Sequence, residues 1–200
     1  MKKHLIFTMV LLLLMTPFFQ SCSGSDPETP VVTVDPAQPK DDSEELTDQE
    51  EATSAAPRTG IFQGNRAPDF TLYDLEGYQI CLEDLRGQKV ILNFWQMSCG
   101  PCLAEKPEIQ AFVEAYGDEN VVILSINLRD SQQEVEAYME ENGYTFPVLM
   151  DTHDNFAAVE YRVRATPTSV FIDEEGLIMH RIEGAMNAAF MKDRLGIEIE

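Results

Sequence analysis

The run KVILNFWQMSCGPC over residues 89–102 decides the fold. Lys89 to Gln96 is strongly apolar, which suits a strand buried on both faces. Gly100-Pro101 ends that strand and opens a helix, because proline is tolerated in the first turn, where its missing N–H has no partner to lose. The helix is predicted to reach about Tyr116, with a kink near Pro107. A second apolar run, Asn120 to Leu128, follows. Two buried strands joined by a helix imply a parallel pair.

Downstream of that unit the turn signals recur. Ser131 to Asn142 reads as a helix, with Ser131 as N-cap and Gly143 as stop. Phe146 to Met150 is a short strand and His153 to Tyr161 a short helix. Thr168 to Asp173 and Leu177 to Ile182 form a hairpin about Asp173 to Gly176. Asn187 to Leu195 is a closing helix. Upstream, Thr71 to Leu82 reads as two short strands around a turn at Asp74 to Gly77. The predicted fold class is α/β, a mixed central sheet flanked by helices, with an N-terminal β-hairpin. It occupies residues 61–200.

The remainder of the 200-residue chain has a different composition. Lys2, Lys3 and His4 precede the apolar run Leu5 to Met15, the pattern of an export signal over residues 1–21. That run is shorter than the roughly 20 apolar residues a membrane span requires. Phe19-Gln20-Ser21-Cys22 resembles a bacterial lipobox, with Gln20 and Phe19 departing from its usual residues. On this reading Cys22 is lipidated, and its acyl chains anchor the protein to a membrane. An ordinary cleaved signal or an uncleaved anchor are the alternatives. Residues 22–60 are acidic, carry Pro27, Pro30, Pro36, Pro39 and Pro57, and show no periodicity, as expected of a disordered, extended tether. The expected location is therefore the cell envelope, outside the cytoplasm.

The net charge is −21. Both the tether and the domain are acidic, which repels phosphate backbones and argues against nucleic acid as a partner. Four cysteines occur. Cys22 is assigned to lipid and Cys81 to a buried strand position. His153 and His180 show no ligand spacing.

Cys99 and Cys102 carry the chemistry. A free thiol titrates near about 8.5, and only the thiolate attacks. A helix N-terminus offers unpaired N–H groups and the positive end of the helix dipole, which favour the anion. Cys99 lies at that end. Cys102 follows one turn later on the same face, within disulfide reach. Cys99 would attack a partner's disulfide, and Cys102 would then resolve the mixed disulfide; the reverse order oxidises a partner. A zinc half-site and a purely structural disulfide are the competing readings. Zinc wants four ligands, and no second Cys pair or close His pair is present. No cofactor is called for.

Residues 61–200 resemble the thioredoxin superfamily, and within it the extracytoplasmic TlpA- and ResA-like thiol–disulfide oxidoreductases. The resemblance rests on Ala67-Pro-Asp-Phe-Thr-Leu72, Leu85-Arg-Gly-Gln-Lys-Val90, Leu92-Asn-Phe-Trp95, Cys99-Gly-Pro-Cys102, Glu105-Lys-Pro107 and Ala165-Thr-Pro-Thr168. It implies a redox-active Cys99–Cys102 disulfide, a functional carboxylate at Glu105, and a cis Pro167 facing the pair. Thr166, Pro167 and Trp95 would meet the substrate. It further implies a disulfide-containing client protein, with apo-cytochrome c the leading instance. A membrane thiol donor of the CcdA/DsbD type would supply electrons. Asn93 stands where thioredoxins proper carry a buried Asp, so Glu105 inherits the acid–base role. Ser98 replaces the Trp that most relatives place before the first cysteine. Solvated helix face and ordinary edge-strand proline are the plain alternatives for Glu105 and Pro167.

Two other functions share parts of this sequence. Ala67-Pro-Asp-Phe also opens the peroxiredoxins, whose Pro-x-x-x-Thr-x-x-Cys pattern is absent around Cys99. SCO-like copper chaperones use Cys-x-x-x-Cys with a later His; the spacing here is one residue short, although His180 lies downstream.

Overall fold

The computed structural model describes residues 56–117 and 119–197. The expected signal at 1–21, the lipidation site Cys22 and most of the tether lie outside the described residues.

Lys89–Trp95 forms a strand (β3), and every residue of it from Val90 onward is buried. It pairs on one side in parallel with Val121–Asn127 (β4) and on the other antiparallel with Thr168–Ile172 (β6). The helix Gly100–Tyr116 (α1) makes the crossover from β3 to β4. It runs unbroken through Pro107, which sits on the exposed side, where a carbonyl left without its N–H partner can turn to water.

The other elements assemble around that unit. Thr71–Asp74 (β1) and Gln79–Cys81 (β2) form the N-terminal hairpin. Val148–Met150 (β5) and Ile178–Glu183 (β7) complete the strands. The described residues form one seven-stranded sheet in the order β2-β1-β5-β4-β3-β6-β7. The hairpin is not a free-standing flap: β1 pairs antiparallel with β5 and extends the sheet. The remaining helices are Gln132–Asn142 (α2), Phe156–Glu160 (α3) and Ala188–Arg194 (α4). α3 starts later than the sequence predicts, because Asn155 enters it in the left-handed region at φ 48°. A short 3-10 turn at Glu83–Leu85, which no sequence pattern announced, links β2 to the approach of β3.

Alternation along β3 splits the core in two. Val90, Leu92 and Phe94 point to one face, with Tyr161, Ala157 and Ala158 beside α3. Ile91 and Trp95 point to the other, against Ile109 and Phe112 of α1, Val135 and Met139 of α2, and Met191 of α4. Each fully buried side chain of this size contributes roughly 1.5–3 kcal/mol. Asn93 falls between Ile91 and Trp95, in the middle of the second, apolar face. In register it stands opposite Ser125 on β4 and Ser169 on β6. Three polar side chains thus cross the centre of the sheet in one row, beneath α1.

Candidate active site

The site is built where β3 ends. Cys99 caps α1 with extended backbone, and its sulfur accepts a hydrogen bond from the Cys102 N–H at 3.2 Å. That amide belongs to the first turn, where N–H groups have no intrahelical acceptor. Cys99 and Cys102 are joined by a disulfide, with Cα atoms 5.2 Å apart. The two sulfurs are not equivalent. Cys102 is wholly buried and Cys99 is 8% exposed. Only Cys99 offers an approaching group a path.

The loop before β6 faces this pair. The Thr166–Pro167 peptide bond is cis. The Thr166 carbonyl oxygen lies 3.3 Å from Cys99 Sγ. A disulfide sulfur has no proton to donate, so this is a contact in the oxidised state and a ready acceptor for a thiol in the reduced one. Pro167 is buried, Thr166 is half-buried, and Arg164 and Ala165 are exposed. The Thr168 hydroxyl donates to the Ala165 carbonyl at 2.8 Å and ties the loop. On the other flank, Asp130 fixes the segment before Cys99: its carboxylate accepts from the Met97 N–H at 2.7 Å and from Asn127 Nδ2 at 2.8 Å.

Glu105 does not lie on a solvated helix face. It is 1% exposed. Oε1 accepts from Asn93 Nδ2 at 2.7 Å, and Oε2 accepts from the Met186 N–H at 3.0 Å. Burial raises its pKa, against the lowering effects of the Asn93 hydrogen bond, the Lys106 charge and the Met186 N–H. Each carboxylate oxygen retains a second lone pair.

Lys106 is the residue that sequence reasoning passed over. It is fully buried. Its ammonium donates to Asn93 Oδ1 at 2.8 Å and to Ser125 Oγ at 3.0 Å, and stands 4.1 Å from the centre of the Trp95 ring. Burial pushes its pKa down to about 7, opposed only by the Glu105 charge. A signal was present: Cys102, Glu105, Lys106, Ile109 and Phe112 fall at helical spacing on one stripe, and all are buried.

Trp95 lies elsewhere than a client-contacting residue must. It is completely buried, under Lys106 and against Tyr138 at 6.0 Å between ring centres. A central strand with neighbours on both sides leaves it no surface, so it lines the core behind the disulfide. Cys81 is buried as expected, 3.3 Å from Thr71 Oγ1. His180 packs edge-on against Phe171 at 6.2 Å. Among the described residues, no group of three His, Cys, Asp or Glu side chains is placed to hold a metal ion.

An α/β sheet of this order, with a disulfide at a helix mouth facing a cis-proline loop, has the form of a thioredoxin-like thiol–disulfide oxidoreductase. The chain belongs to the AhpC/TSA family, which it matches over residues 63–181. It is 37% identical over 138 residues to the thiol-disulfide oxidoreductase ResA of Geobacillus thermodenitrificans, covering 69% of this chain and 79% of that one. The thioredoxin-like protein YneN of Bacillus subtilis is 33% identical, over 73% of this chain and 86% of its own. Among solved structures, StoA of Bacillus subtilis superposes with a TM-score of 0.57 at 33% identity, over 64% of this chain and 96% of StoA. A thioredoxin family protein of Chlorobium tepidum superposes with a TM-score of 0.61 at 24% identity, over 72% and 98% of the two chains, and supports the fold alone. The protein is a ResA-like thiol–disulfide oxidoreductase.

Proposed function

We propose that the protein is a membrane-tethered, extracytoplasmic reductase of protein disulfides, working through Cys99 and Cys102. The observation that carries this reading is the asymmetry of the pair: one sulfur reachable at the mouth of α1 beside Thr166, the other sealed behind it. In the reduced protein the Cys99 thiolate attacks one sulfur of a client disulfide, and the other client sulfur leaves as thiolate. Cys102, deprotonated, then attacks Cys99 Sγ, re-forming the intramolecular disulfide and expelling the second client thiolate. The client gains two electrons and two protons, and the Cys pair is oxidised by the same amount. Glu105, one turn beyond Cys102, takes the Cys102 proton. Thr166 and Pro167 receive the client's extended backbone alongside the disulfide; Trp95 acts only as the wall behind the sulfurs.

The export signal over 1–21, lipid on Cys22 and the tether 22–60 would hold the domain 61–200 at a bacterial membrane. A thiol donor of the CcdA/DsbD type would re-reduce it there. Disulfide-containing apo-cytochrome c is the proposed client, and cytochrome c maturation the process served.

The test is trapping. Cys102→Ser should retain a client on Cys99 as a mixed disulfide that Cys99→Ser never forms, and mass spectrometry should return c-type cytochrome precursors. A client set without them removes the cytochrome assignment. Peroxide consumption at Cys99 that survives Cys102→Ser would replace the reductase by a peroxidase. A tight copper(I) site lost in His180→Ala would replace it by a metal carrier.

A further inference from the structure

A buried lysine needs a reason. Lys106 is fully buried, and no carboxylate touches its ammonium. Two neutral oxygens and an aromatic face are weak compensation for leaving water. The arrangement gains its logic through Asn93. One end of that amide, Oδ1, accepts from Lys106; the other end, Nδ2, donates to Glu105. The amide dipole therefore points its negative end at the ammonium and its positive end at the carboxylate. Rotating Asn93 by half a turn would set like ends against both charges. Ser169 accepts a second bond from Nδ2 at 3.0 Å.

We propose that Lys106 is a positioning residue of the exchange site: its ammonium, anchored to Asn93 and Ser125, keeps Asn93 turned toward Glu105 and favours the ionised form of the Glu105 carboxylate against its burial. The proposal rests on the acid–base part given to Glu105 above for its meaning in catalysis, but not for its test.

The surroundings leave Lys106 alone in this role. β3, β4 and β6 present the neutral Asn93, Ser125 and Ser169, with Trp95 and Phe146 as aromatic walls. The segment before α4 presents the Met186 N–H. On α1 itself, Glu108 turns away and accepts from the Ala188 N–H at 3.0 Å. α4 carries Lys192, Asp193 and Arg194, of which Arg194 stacks on Phe190 at 4.8 Å. Of the charges named, Lys106 is the one joined to Glu105 through the Asn93 amide.

The experiment follows the Glu105 carboxyl carbon by NMR in the oxidised full-length chain labelled at glutamate, with Glu105→Gln assigning the resonance. Lys106→Met removes charge and hydrogen bonds; Lys106→Gln keeps a donor toward Asn93 and Ser125 but not the charge. In both, the Glu105 midpoint should rise by about one unit or more, the usual effect of losing a nearby opposite charge. In the wild type, which needs no variant to fold, the Glu105 signal should also respond in the pH step where Lys106 loses its proton. Unmoved midpoints, or a wild-type signal blind to Lys106, overturn the proposal. So does a shift in Lys106→Met that Lys106→Gln does not share. The pH profile of thiol exchange separates the two claims. If the midpoint moves and that profile does not, Lys106 keeps its role and the acid–base part of Glu105 fails.

Discussion

Lys106 also leaves a mark on stability, whatever it does in exchange. Its proton is held less tightly in the folded chain, near about 7, than at the ordinary 10.5. Below that window both folded and unfolded chains carry the proton, and the group adds no pH dependence. Within it the unfolded chain keeps a proton the folded chain has shed, so stability rises with pH. The stability of the wild type relative to Lys106→Met should already rise with pH in the acid range where Glu105 titrates, because the variant's folded chain keeps a Glu105 proton that the wild type has shed. It should then climb toward pH 10 with a slope of at most about 1.4 kcal/mol per pH unit, one proton's worth. Urea unfolding of both proteins across that range measures it. A falling difference would mean that the folded state binds the proton more tightly, contrary to the burial. Glu105 acts in the opposite sense: its raised pKa makes the folded chain keep a proton above the usual 4.5, so its contribution declines as pH rises there.

At the level of elements, α2 owes its start to a reciprocal cap. Ser131 Oγ accepts from the Glu134 N–H at 3.3 Å, and the Glu134 carboxylate accepts from the Ser131 N–H at 3.0 Å. Gly143 ends the helix with φ 67°, a left-handed turn that glycine adopts without strain. Ser131→Ala should lower stability by about 1 kcal/mol in urea unfolding while leaving thiol exchange unchanged, because the Ser131 hydroxyl bonds only to Glu134 within the cap and the Asp130 carboxylate that holds Met97 is kept. Ser131 and Gly143 were readable from sequence because capping chemistry is local. So was the order of strands and helices, since burial on both faces of β3 and β4 leaves unbroken apolar runs. The pairing of β1 with β5 was not readable: any edge strand of alternating pattern would satisfy β1, and register between distant segments has no local signature. At the site, Cys99, Cys102 and the Thr166–Pro167 loop carried chemistry that the sequence exposed. Lys106 showed only in its place on the stripe of Cys102, Glu105 and Ile109, a faint signal because a lone lysine in a helix ordinarily marks the solvent side. Its place depends on Ser125 and Asn93, which only the sheet brings beneath it.

For the whole molecule, charge sets which clients arrive fastest. The chain carries a net −21. Cys99 is the one reachable sulfur of the pair, so every client must approach through the field of that surface. A cationic disulfide peptide should therefore react faster than an anionic one of equal reactivity at low salt. The two rates should converge as salt rises and the Debye length shrinks from about 30 Å at 0.01 M to about 8 Å at 0.15 M. Stopped-flow rates for reduced protein with matched cationic and anionic peptides decide it. The cationic rate falling and the anionic rate rising with salt is the expected outcome. Equal, salt-independent rates would place the site in a locally neutral field, and client choice would then rest on the backbone groups of the Thr166–Pro167 loop rather than on steering. Because the steering field comes from the whole surface and the thiol's reactivity from one helix mouth, Lys106→Met should leave this salt dependence intact even where it changes the pH profile.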